Sequence, residues 1–246
     1  MSTIVYYVLS ALAVLITLSV HEYFHGYAAY KLGDPTAKSL GRLTLNPIKH
    51  LDPFGALCMV FFHFGWAKPV PINARYFKNP KRDFAITALA GPLSNLTLSF
   101  LAAFLYALTI KLFSGISVNN TFIYSLVQNT VSFIYIFHVV NIGIAIFNLI
   151  PIPPLDGSRL LCAVLPTKTY FAIMKYERTI YFVLIGWLFI GSYASSLLLS
   201  FDFMANNQVL SVFARILSLS GLLSDAIDGI SNLFLKLFTS IPFLKV

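Results

Sequence analysis

Residues 4–30 read IVYYVLSALAVLITLSVHEYFHGYAAY, a run of 27 residues in which Glu22 is the one formally charged side chain. A helix needs about 20 predominantly apolar residues to cross a bilayer, so this stretch is long enough to span. It does not read as a removable leader. Met1 to Val20 carry no basic n-region, and the apolar run continues without a break into charged residues. Three more runs meet the spanning length, at 84–112, 122–150 and 179–201. A fifth, 53–66, is too short to span and is expected to dip in and return, or to lie as a half-helix. Residues 207–240 scatter Arg215, Asp225, Asp228 and Lys236 among leucines, and this amphipathic stretch either lies in the interface or adds one more span.

Composition points the same way. The chain has 246 residues, 58% hydrophobic and 11% charged, against roughly 45–50% and about 25% in soluble domains. Its mean hydropathy is +0.79. A soluble fold would lack the charges to cover its surface, and a disordered chain would not carry 23 Phe and 13 Tyr. The net charge is +8, but no basic run suggests nucleic acid as a partner. Instead 13 of the 17 basic residues fall in loops 31–50, 68–82 and 151–178. These loops share the cytosolic side if 53–66 is re-entrant, which puts the N-terminus and loop 113–121 outside. Cys58 and Cys162 read as packing residues.

The expected fold is an all-α polytopic membrane protein with about four to six transmembrane helices and a re-entrant segment. Short surface strands are expected at 42–46 and 69–73. No repeat or linker divides the chain, so a single membrane-embedded domain covers 1–246, with a core at about 4–201 and an amphipathic segment at 202–246.

The chemistry concentrates in two places. His21-Glu22-Tyr23-Phe24-His25 is an HExxH pattern near the inner end of the first helix. Residues i and i+4 share a helix face, so two imidazoles can bind one Zn²⁺ with Glu22 beside it as a general base. The alternative is a wet interfacial cap. Ionisable residues in a spanning segment are costly and usually functional, which favours the metal. Catalytic zinc takes about three protein ligands and keeps an open position. Asp156 in NLIPIPPLDG (148–157), after a span broken by prolines, is the candidate third ligand; otherwise it belongs to a plain Asp-Gly turn. Asn148 and Asn95 are candidate substrate-binding residues, or else interhelical glue like Asn141. His50 reads as part of an interfacial turn, and His63 and His138 read as packed or hydrogen-bonded rings.

HEYFH at the end of a first long helix, GPLSN (91–95) opening a later one and NLIPIPPLDG after another resemble the site-2 protease family of intramembrane zinc metalloproteases. The shared pattern spans about residues 4–165. With no insert long enough for a PDZ or CBS domain, the chain resembles the compact branch. The resemblance implies one Zn²⁺ ligated by His21, His25 and Asp156, with Glu22 as the catalytic acid/base. Transmembrane protein substrates within the lipid bilayer are implied as partners. The expected location is the cell membrane, with the active site toward the cytosol. An edge at 42–46 or 69–73 could hold an unwound substrate by strand addition. Two rivals remain: a catalytically silent relative that binds membrane partners, and a metal transporter. All four motif residues are present, which weighs against the first. No internal repeat pairs two broken helices, which weighs against the second.

Overall fold

The computed structural model describes residues 2–55, 67–114, 120–200, 219–241 and 243–244. Three long helices form its frame: α1 (Thr3–Lys31), α4 (Pro80–Phe113) and α5 (Thr121–Leu149). Between α1 and α4 lie two short helices, α2 (Thr36–Ser39) and α3 (Pro47–His50), and a 3-10 turn at Ala74–Tyr76. After α5 come α6 (Asp156–Val164), α7 (Thr167–Met174), α8 (Glu177–Gly186) and α9 (Ser192–Leu199). The last helix is α10 (Leu219–Thr239). The chain is an all-α integral membrane protein.

Local chemistry sets the ends of these helices. Ser2 Oγ accepts from the Val5 amide at the start of α1. Asn120 Oδ1 accepts from the amides of Phe122 and Ile123 at the start of α5. Pro80 occupies the first turn of α4, where its missing N–H costs nothing. α1 stops before Gly33, whose φ of +109° favours glycine.

α4 is the hub and packs against α1, α5, α6 and α10. Its buried stripe is small or polar: Thr87, Ala88, Gly91, Ser94, Asn95, Ser99, Ala102, Ala103 and Ala107. Its large residues Leu93, Leu101, Phe104 and Leu105 point outward. That is the reverse of a soluble helix. Lipid is as apolar as leucine, so helices associate through close backbone approach and interhelical hydrogen bonds. Ser99 on α4, His138 on α5 and Ser231 on α10 make one such node. His138 Nδ1 lies 2.8 Å from Ser99 Oγ, and its Nε2 lies 3.0 Å from Ser231 Oγ. Below it, Phe234 and Phe238 of α10 meet Phe100 at centroid distances of 5.3 and 4.9 Å. α10 therefore docks on α4 and α5 by a Ser231–Phe234–Phe238 stripe.

The structure corrects the expected span count. Among the described residues, three helices are long and apolar enough to cross a membrane, not four to six. The expected span at 179–201, described as far as residue 200, is helical without a break from Glu177 to Leu199 but carries a π turn at Trp187–Gly191 between α-helical stretches of 10 and 8 residues. Hydropathy does not register such a change of hydrogen-bond spacing. The expected strands at 42–46 and 69–73 also differ: the described residues hold no strand, only an isolated bridge between Leu51 and Ala67. Pro69 and Pro71 have no N–H to give a ladder. In 42–46 the amides of Thr44 and Asn46 are consumed locally, by Arg42 O and Thr44 Oγ1. The expected re-entrant stretch lies largely outside the described residues, as does His63.

Candidate metal centre

His21 and His25 stand one turn apart on α1, with ring centroids 4.5 Å apart. Both are buried. The third group arrives from the far end of α5. Pro151, Pro153 and Pro154 prevent the helix from continuing, and the chain turns back into α6, which begins at Asp156. That turn is tight. A Cβ on Gly157 would stand 2.5 Å from Ile150 O and 2.6 Å from Leu149 C, so only glycine fits.

Asp156 Oδ2 lies 3.0 Å from His21 Nε2 and 3.1 Å from His25 Nε2. The two Nε2 atoms are 3.0 Å from one another. These residues form a group able to hold a metal ion. Three ligands at about 2.1 Å in tetrahedral geometry stand about 3.4 Å apart, so the triangle needs only to open slightly. Two imidazoles and one carboxylate match the donor set of a catalytic zinc with an open position. Burial alone would raise the Asp156 pKa, but the adjacent imidazoles of His25 and His21 outweigh it and hold the carboxyl well below its ordinary range.

α4 orients both rings. His25 Nδ1 donates to Thr87 O across 2.7 Å, which leaves Nε2 as the atom with the lone pair. Pro92, within α4, removes the N–H that would bond Ala88 O and loosens the carbonyl row at this level. The Asn95 carboxamide lies 3.1 Å from His21 Nδ1. Its oxygen and nitrogen exchange places on a half-turn, and the oxygen is the partner for an Nδ1–H. Gly91 allows the approach: a Cβ there would stand 2.6 Å from His25 Cε1 and 2.7 Å from His21 Cε1. One turn before His21, Thr17 Oγ1 accepts from Asn141 Nδ2 at 2.9 Å, tying α1 to α5.

The other residues singled out in the sequence are not members of this triangle. Glu22 points toward the segment after residue 67, where its Oε2 accepts from the Val70 amide at 2.8 Å. Asn148 Nδ2 donates to Ile144 O within its own helix. His50 Nε2 donates to Thr44 O, and His138 belongs to the α4–α5–α10 node. Sequence reading missed the Thr87 carbonyl and the Val70 amide, since backbone atoms carry no residue signature. The proline at 92 and those flanking Val70 were the available hints.

The model of peptidase family M50 matches residues 9–191. "Putative zinc metalloprotease YwhC" of Bacillus subtilis is 37% identical over 221 residues, covering 88% of this chain and 98% of that protein. "Putative zinc metalloprotease Rip2" of Mycolicibacterium smegmatis is 29% identical over 147 residues, 58% of this chain and 52% of that protein. The protein of the same name from Mycobacterium tuberculosis is 27% identical over 190 residues, 71% of this chain and 68% of that protein. No solved structure gives a significant match.

Proposed function

Because the chain belongs to peptidase family M50, the site-2 protease family, we propose that it is a zinc-dependent intramembrane endopeptidase. Its substrates are transmembrane segments of other proteins, cut within the lipid bilayer. One Zn²⁺ per chain is held by His21, His25 and Asp156. The observation that carries this reading is the convergence of those three side chains, with Glu22 adjacent in sequence but bonded elsewhere.

A bound zinc supplies Lewis acidity toward water and toward a peptide carbonyl. The chain's own residues do the rest. Thr87 O and the Asn95 carboxamide fix the two imidazoles with Nε2 turned inward. The Glu22 carboxylate takes the proton of the attacking water and returns it to the departing amine nitrogen. Asn95 acts on His21 rather than on substrate, and Asn148 is the remaining candidate for contact with the unwound substrate backbone. A helical substrate hides its peptide bonds in its own hydrogen bonds and must unwind first. The basic loops 31–50, 68–82 and 151–178 flank the site, so by the positive-inside rule it opens toward the cytosolic face of the cell membrane.

The test is metal analysis of purified protein combined with cleavage of membrane substrates by wild type and Glu22→Gln. One zinc per chain in both proteins is expected, with cleavage by Glu22→Gln lower by about 10²–10⁴-fold. Undiminished cleavage by Glu22→Gln would remove the mechanism.

A further inference from the structure

Residues 68–73 read Lys-Pro-Val-Pro-Ile-Asn. From 69 to 71 the one backbone N–H is that of Val70, because proline has none. That N–H goes to Glu22 Oε2, across 2.8 Å. The segment carrying it is held at both ends by side chains from other parts of the fold. At one end Arg42 Nη2 donates to Lys68 O at 2.8 Å and Pro69 O at 3.3 Å. At the other, the fully buried Asp34 accepts from the Asn73 amide at 2.6 Å. Between these anchors the segment crosses α1 one turn beyond Glu22, at Gly26. A Cβ on Gly26 would stand 3.1 Å from Val70 Cγ1.

We propose that residues 68–73 are a strap that positions the Glu22 carboxylate through the Val70 amide, with Asp34 and Arg42 as the positioning residues that hold the strap. The inference rests on the reading of Glu22 as the general base. A carboxylate on a three-bond side chain has several rotamers. One donor on an anchored, proline-stiffened segment selects among them, leaving Oε1 for the proton in transit. Asp34 and Arg42 thereby act on the reaction without touching substrate or metal.

Two measurements test this. The first does not depend on activity: amide hydrogen exchange of the full zinc-loaded chain, followed in peptides that contain Val70. Glu22→Ala should speed exchange there by about tenfold or more, while Glu22→Gln, which keeps an acceptor oxygen, should not. Equal exchange in wild type and Glu22→Ala overturns the strap, whether or not the protein cleaves anything. The second is steady-state cleavage. Val70→Pro deletes the N–H and should lower kcat by up to about 10²-fold, with KM and zinc content unchanged. Val70→Ala, which keeps the amide, should lose at least about tenfold less. Asp34→Ala and Arg42→Gln should also lower kcat and not KM, and none of these changes should add to Glu22→Gln. A raised KM with kcat preserved would assign the segment to substrate binding and overturn the proposal, as would loss of zinc in Val70→Pro. If wild type cleaves no membrane substrate while the exchange result holds, the proteolytic reading fails and the strap contact stands.

Discussion

His25 Nδ1 donates to the carbonyl oxygen of Thr87 across 2.7 Å, so a backbone atom of α4 decides which ring nitrogen faces Asp156. His21 is held differently, by the Asn95 side chain at 3.1 Å. The two candidate ligands of one helix therefore differ in how they can be disturbed. One depends on where α4 lies, the other on a replaceable carboxamide.

Asn95→Ala should weaken zinc binding by about 10–100-fold, the usual effect of losing a partner behind a ligating histidine. Asn95→Asp keeps an oxygen acceptor and should fall closer to wild type. Chelator competition on the purified protein gives both affinities. Equal affinity in Asn95→Ala and wild type would show that His21 needs no such partner.

Gly91→Ala tests the approach of α4. The added methyl would enter the space of both imidazole rings. The strain should cost about 1–3 kcal/mol and lower zinc occupancy. Thermal unfolding with and without added zinc reads both effects. A fully loaded Gly91→Ala protein of unchanged stability would contradict the packing described.

Ser231→Ala removes the hydroxyl 3.0 Å from His138 Nε2. Interhelical hydrogen bonds in membranes contribute about 0.6 kcal/mol on average and up to about 1.7. The variant should lose that much stability, become more sensitive to protease within α10 and keep its zinc. Loss of zinc instead would tie this node to the metal centre.

Topology is tested by single cysteines at Ser39, Ser114 and Thr167, all exposed in the structure, in a background without Cys58 and Cys162. Ser39→Cys and Thr167→Cys should label from the cytosolic side and Ser114→Cys from outside. Opposite-side labelling at 39 and 167 would be incompatible with α1 and Asp156 sharing one site.

Two local regularities were legible at His21, His25 and Asp156, while their meeting in space was carried only by the family resemblance. The i,i+4 spacing fixes a helix face, and three prolines within four residues force α5 to end where the acid follows. The long helices were legible from hydropathy for a similar reason: length against bilayer thickness is nearly the whole criterion. The π turn at Trp187–Gly191 was not, since one altered hydrogen-bond spacing leaves hydropathy untouched. The fate of 69–73 was only half legible. Alternating prolines announced an extended segment, but side chains distant in sequence satisfy it. Asp34 and Glu22 supply its acceptors from 39 and 48 residues away.

The buried stripe of α4, built from Gly, Ala, Ser and Thr, also bears on how this sequence can change over time. Large residues on the outer wall lie in surroundings that resemble them, so exchanges among Leu, Ile, Phe and Val there alter little. Along the seam a single added methyl group moves a whole helix, and with α4 it moves the carbonyl that steadies His25. Drift should therefore accumulate on the outer face while the seam stays nearly fixed. A random mutational library of this chain would then sort into tolerant and intolerant positions by residue size, with polarity a secondary influence.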